Sequence, residues 1–255
     1  LLRLESAGAR DMGRLALVGG GALAFLTVAI PMQLEHQWIT LGWALEGAAL
    51  AWLFTRVPHR GLLFASMALL AAVFARLVLN PEVFLYEPRG AMRIVNWYLY
   101  TYVLAAAAMG AAAWWFSRTD DAVSGDLPRP RHVLPGAAVV VLFFLVNIEI
   151  ADFYATGPEI VFRFGVTIQQ DLTYTIAWLI FGMLLLAAGI IAGAKAARVA
   201  AVALVTVTTC KCFLYDLSSL EGLYRVGAFL GLGISLALVS LVLQKYVLAP
   251  KESAS

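Results

Sequence analysis

Apolar positions along this chain form eight long blocks divided by short polar stretches: Gly13–Ile30, Trp38–Thr55, Gly61–Leu79, Ile94–Phe116, Val133–Ala151, Leu172–Gly193, Ala197–Leu214 and Gly222–Val247. Each is close to the ~20 residues that cross a hydrocarbon core as a helix. The pattern therefore predicts an all-α fold, a polytopic transmembrane bundle of about eight helices. An even number of crossings puts both termini on one side. The longest soluble stretch, Ser117–His132, reads as a flexible linker rather than a domain.

The blocks repeat. Trp43 and Gly47 are four apart and Arg76 follows Trp43 by 33; Trp178, Gly182 and Lys211 keep those spacings, and Thr40 aligns with Thr175 at the same offset of 135. Four matches on corresponding helices predict two tandem four-helix units, 1–116 and 133–255, joined by the linker at 117–132. An even helix count per unit makes the repeats parallel, related by an axis along the membrane normal. Gly227, Gly231 and Ser235 on the last helix, and Gly189 with Gly193 on the sixth, are small residues spaced by four that predict close helix contacts, within the chain or with a protein partner.

Composition agrees with the pattern. Apolar residues make up 62% of the 255 and charged ones 13%, against about half and a quarter in soluble domains, and the mean hydropathy is +0.85. Lipid must solvate such a chain, so the bilayer is its first partner. A net charge of +2 is too small to argue for nucleic acid. By alternate connections, the side with both termini holds twelve basic residues (Arg3, Arg10, Arg14, Arg56, Arg60, Arg118, Arg129, Arg131, Lys195, Arg198, Lys245, Lys251) and the other four (Arg89, Arg93, Arg163, Arg225). That asymmetry predicts cytoplasmic termini. Most acids, Glu149, Asp152, Asp171, Asp216 and Glu221 among them, fall on the outer side.

Cys210 and Cys212 lie two apart on one helix, where their side chains diverge by roughly 200° and do not bridge. A CKC pair without histidines is a poor metal site, and no metal or cofactor is expected. There is no Walker or dinucleotide motif. Leu1 is not a methionine and no signal-peptide order follows it, so the chain is expected to be part of a longer one.

The turn KCFLYDLSSLEGLYRVGAFLGLG carries a specific pattern: Lys211, Phe213, Leu214, Asp216, Leu220, Gly222, Leu223, Arg225, then Phe229, Leu230, Leu232 and Gly233. With WITLGWALEGAALAWL and NWYLYTY, it resembles the bacterial polytopic membrane family known as domain of unknown function 2339. The resemblance covers nearly all the spans. It implies a multi-pass protein of the bacterial cytoplasmic (inner) membrane, here a C-terminal portion or short form, and brings no reaction with it. In the same turn, Ser218 and Glu221 read as a capping box, Glu221 and Arg225 as an i, i+4 pair, and Lys211 as a basic residue in a last helical turn.

Ionisable groups cluster in the outer halves of the spans, which predicts an outward-facing polar cavity. Its candidate residues are Glu46, Arg76, Arg93, Asn96, Asn147, Glu149, Asp152, Lys211, Asp216, Glu221 and Arg225. Glu46 lies ~12 Å into its helix, a depth at which acids face a bundle interior or wet cavity, and Arg76 across the hairpin is its candidate partner. Phe181 stands at the repeat position of Glu46. The reading favours binding, transport or assembly of cell-envelope components, with an envelope lipid or glycan as ligand. The alternative is a membrane enzyme on a lipid-linked or glycan substrate, with Glu46, Glu149 or Asp152 as acid or base and Arg76, Arg93, Lys211 or Arg225 on an anionic group.

Overall fold

A computed structural model of the chain describes residues 37–85, 94–118, 130–155 and 167–216, with scattered positions within 18–32, 157–162 and 230–244. All regular structure among the described residues is helical. Six long helices are α1 (Gln37–Arg56), α2 (Arg60–Phe74), α3 (Trp97–Phe116), α4 (Pro130–Tyr154), α5 (Ile168–Ile191) and α6 (Lys195–Lys211). Helix α2 runs on as a π-helical turn, Ala75–Leu79, and α6 as another, Cys212–Asp216. Five stretches among the described residues are long and apolar enough to cross a membrane: Arg60–Leu79, Trp97–Phe116, Pro130–Tyr154, Ile168–Ile191 and Lys195–Leu214. Helix α1 has the length, 20 residues, but Gln37, Glu46 and Arg56 lower its hydropathy. The first and last expected spans lie largely outside the described residues.

Local chemistry sets the helix boundaries. Helix α5 begins four residues before the apolar run because Thr167 caps it, its hydroxyl accepting from Gln170 N at 3.2 Å. His59 Nδ1 accepts from Gly61 N at 3.1 Å where α2 begins. At the far end of α5, Gly193 adopts φ +65. Gly193 N donates to Ile190 O and Ala194 N to Gly189 O, the paired bonds of a Schellman turn. Gly193 thus closes a helix and does not serve as the packing residue its spacing predicted.

The described chain divides into two compact units, Leu1–Ile160 and Val161–Ser255. The division falls after α4, because α4 packs along α3. In the first unit α1 also packs on α2 and α3. Ring pairs fix directions: Trp38 meets Tyr100 at 6.4 Å and Phe54 meets Phe116 at 5.6 Å, so α1 and α3 run parallel. Phe54, Leu70, Val73, Tyr102, Met109, Val141 and Ile148 form a dry core.

One contact recurs in the two hairpins. A Cβ on Gly47 would come within 2.9 Å of Leu70 and near the Ser66 carbonyl, and one on Gly182 within 2.8 Å of Val205 and near the Ala201 carbonyl. All three positions are related by the offset of 135. In the first hairpin Ser66 Oγ also donates to Gly47 O at 2.7 Å, which holds the two backbones together. Gly189 lets α6 approach in the same manner, with Arg198 and Ala197 where its side chain would stand.

Gly47→Ala should therefore lower stability by about 1–3 kcal/mol in detergent, overpacking outweighing the gain in helix propensity. Gly110→Ala, with nothing within 4 Å of the new methyl, should be neutral or stabilising. Equal melting temperatures for the two variants would refute the close-approach account.

A candidate polar site at one end of the first unit

Asn96 precedes α3 with extended backbone, and its Oδ1 accepts from Leu99 N at 3.0 Å, capping the helix. That bond fixes which way the amide faces. Its Nδ2 is turned onto the last turns of α4, donating to Glu149 Oε2 at 3.2 Å and Asp152 Oδ2 at 3.4 Å. Glu149 and Asp152 are i, i+3 neighbours and share a face. Asp152 is buried, with 5% of its surface exposed. Glu149 is half-buried, and its Oε1 is buried with no hydrogen-bond partner among the described residues. Among the described residues Glu149 Oε1 thus remains an open acceptor beside a second carboxylate, which suits a hydroxyl or ammonium donor.

Arg76 sits half-buried in the π-helical turn that ends α2, and this turn packs against α4. A π turn displaces the regular carbonyl ladder, and Leu77 O accepts from Tyr102 OH at 2.7 Å instead. Thr40 and Thr101, near the same ends of α1 and α3, are buried with hydroxyls that have no partner among the described residues. The opposite end of the unit is basic: Arg56 lies over Trp52 at 5.7 Å, Arg118 over Trp114 at 3.7 Å, and Arg60 and Arg131 start α2 and α4.

Glu46 does not pair with Arg76. It is buried (5% exposed) halfway along α1, where Oε1 accepts from Thr27 Oγ1 at 2.5 Å and Oε2 is buried without a hydrogen-bond partner among the described residues. Trp43 Nε1 also reaches Thr27 O, at 3.5 Å. The face of α1 bearing Glu46 is turned to Thr27.

Lys211 belongs to the second unit. Its Nζ donates to Asp171 O at 3.2 Å and Thr175 Oγ1 at 2.9 Å, and Thr175 in turn donates to Asp171 O at 3.1 Å. The ammonium therefore reaches across to the first turns of α5 rather than to the carbonyls ending its own helix. Asp171, Gln170 and Thr175 are buried there. Neither Thr27 nor the pair Asp171 and Thr175 was among the candidates. For Thr175 the offset shared with Thr40 and Arg76 was the available signal; for Thr27 there was none.

The remaining candidates are dispersed. Asn147 donates back to Phe143 O of its own helix at 2.7 Å. Asp216 ends the π turn after α6, with its side chain outside the described residues, and Arg93, Glu221 and Arg225 lie outside them altogether. So do Gly227, Gly231 and Ser235 and the Ser218 to Arg225 turn. Cys210 and Cys212 are free thiols. Among the described residues no three His, Cys, Asp or Glu side chains are grouped to hold a metal.

The family described as predicted membrane protein, domain of unknown function 2339, matches residues 1–165 and, in a second overlapping match, residues 90–246. No curated protein and no solved structure matches the chain.

The two roles of Asn96 can be separated. Asn96→Ser keeps a cap acceptor and loses the donor to the carboxylates, while Asn96→Ala loses both and should cost about 1–3 kcal/mol. Asn96→Asp keeps a strong cap but adds a third carboxylate, so it should be less stable than Asn96→Ser at neutral pH. An aspartate variant as stable as the parent in thermal unfolding would show that the carboxylates do not share one electrostatic environment.

Proposed function

We propose that this chain, which belongs to the predicted membrane protein family domain of unknown function 2339, binds the polar head group of an envelope lipid or glycan where Asn96, Glu149 and Asp152 meet. The observation that carries the reading is the buried Glu149 Oε1, without a partner among the described residues, beside the Asp152 carboxylate and the Asn96 amide. Sugar hydroxyls and lipid ammonium groups supply the missing donors. Charge-assisted bonds of this kind are the strong ones. Trp38 and Tyr100, exposed at the same end, have the amphipathic rings that favour head-group depth. Arg76, on the turn against α4, is suited to a phosphate on the same ligand.

In this reading the acidic end faces outward from the bacterial cytoplasmic membrane and the termini are cytoplasmic. The basic ring of Arg56, Arg60, Arg118 and Arg131 supports that orientation, as do Lys195 and Arg198 at the α5–α6 turn. The tandem repeat, with units at 1–116 and 133–255, is supported by the recurring glycine contact and by a π turn ending the second helix of each hairpin, with Arg76 inside the first turn and Lys211 just before the second. Glu46, held by Thr27 inside the helix packing, is a supporting residue rather than part of the ligand seat.

Native mass spectrometry of protein extracted gently from bacterial membranes tests the site. The parent should carry a co-purifying lipid or glycan mass, and Glu149→Ala should retain about tenfold less of it with unchanged melting. Equal retention by both proteins would reject the assignment. For orientation, Ser124→Cys and Ser219→Cys in a Cys210→Ser, Cys212→Ser background should react with an impermeant maleimide from opposite faces of the membrane; reaction of both from the same face would overturn this topology.

A further inference from the structure

The second unit contains a groove that the head-group reading does not use. Leu179, Met183 and Leu186 on α5, Val202 and Val205 on α6, and Leu238 line an almost wholly apolar space of about 260 Å³. Met183 and Leu179 are 56% and 42% exposed, so the groove opens sideways, toward lipid. Its volume is just below the roughly 300–1,000 Å³ of pockets that enclose whole small ligands. It extends along α5 instead, which suits one chain rather than a compact molecule.

Depth and charge identify that chain. Counting back from Ile191, Leu186 lies about 7.5 Å and Leu179 about 18 Å into the helix. One leaflet of hydrocarbon is about 15 Å thick, so the groove runs through the depth of the acyl chains on the side of the Gly193 turn and ends about the bilayer midplane near Leu179. Above it stand two cations: Lys195 is the exposed first residue of α6, and Arg198 packs its stem on Gly189, one turn from Val202 and Leu186. Helix α6 also opens without a side-chain cap, because Ala194 occupies that position. Its first amides, at Lys195, Ala196 and Ala197, therefore form a positive helix end of the kind that accepts phosphate oxygens.

We infer that this groove seats one acyl chain of an anionic phospholipid whose phosphate is held by Lys195, Arg198 and the uncapped amides that open α6. The apolar wall selects the chain, and the charges above it select an anionic head over a zwitterionic one. The seat is independent of the Asn96 cluster, which lies in the other unit.

Native mass spectrometry of the full chain in detergent, titrated with phosphatidylglycerol or phosphatidylcholine of identical chains, tests the inference. The parent should retain one phosphatidylglycerol in preference to phosphatidylcholine. Lys195→Gln and Arg198→Gln should each lower phosphatidylglycerol retention about fivefold without changing melting. Met183→Trp, which fills the groove from its exposed side, should abolish retention of the phospholipid even with both cations intact. Equal retention of the two lipids by the parent, or full retention by Met183→Trp, would overturn the assignment. So would a dimer that retains no phospholipid, since a second copy would then be the occupant.

Discussion

Backbone N–H and C=O groups in hydrocarbon have no water to bond, and each one left open costs several kcal/mol. Helices meet that demand except at their ends and wherever the ladder is disturbed, and there the chain must provide a partner. The described residues show where it does so. Thr167 and Asn96 take amides at the starts of α5 and α3, Tyr102 donates to the carbonyl of Leu77 in a π turn, and Gly193 lets the last carbonyls of α5 bond the following amides. Polar side chains in this protein are committed first to backbone, and only their remaining bonding capacity is open to a ligand.

That order of commitment distinguishes the polar groups from one another. Lys211 and Thr175 direct their bonds to the start of α5, so they tie a hairpin. Asn147 bonds its own helix. Asn96 gives its oxygen to the cap and its nitrogen to Glu149 and Asp152, and among the described residues Glu149 Oε1 is left buried without a donor. That open acceptor stands at a helix end, whereas the one on Glu46 lies midway along α1 beside Thr27, which is the basis for proposing ligand binding at Glu149.

Packing and charge are linked through the glycines. Close approach at Gly47 and Gly182 brings paired helices near enough for polar groups at their ends to meet. At Gly189 the same absence of a side chain lets the stem of Arg198 lie against α5, which carries its charge to the end of the unit while its methylenes cover apolar surface. The arrangement leaves carboxylates at one end of the first unit and guanidinium groups stacked on tryptophans at the other.

The all-α membrane class, the placing of six helices within a few residues and the segregation of acidic from basic ends followed from the sequence, because all three depend on composition along the chain and on the fixed length of a spanning helix. The family was legible too, in the turn from Lys211 to Gly233. What the sequence did not contain was the rotation of each helix about its axis. These helices are apolar nearly all round, so no polar stripe marks the inner face. Only tertiary packing decided that Asn96 meets Glu149 and Asp152, 53 and 56 residues away, that Glu46 turns to Thr27 and not to Arg76, and that Lys211 reaches Asp171 and Thr175. It also placed α4 against α3, within the first compact unit. Hydropathy is unchanged when a uniformly apolar helix is rotated, whereas the hydrogen bonds of its few polar groups are made or lost.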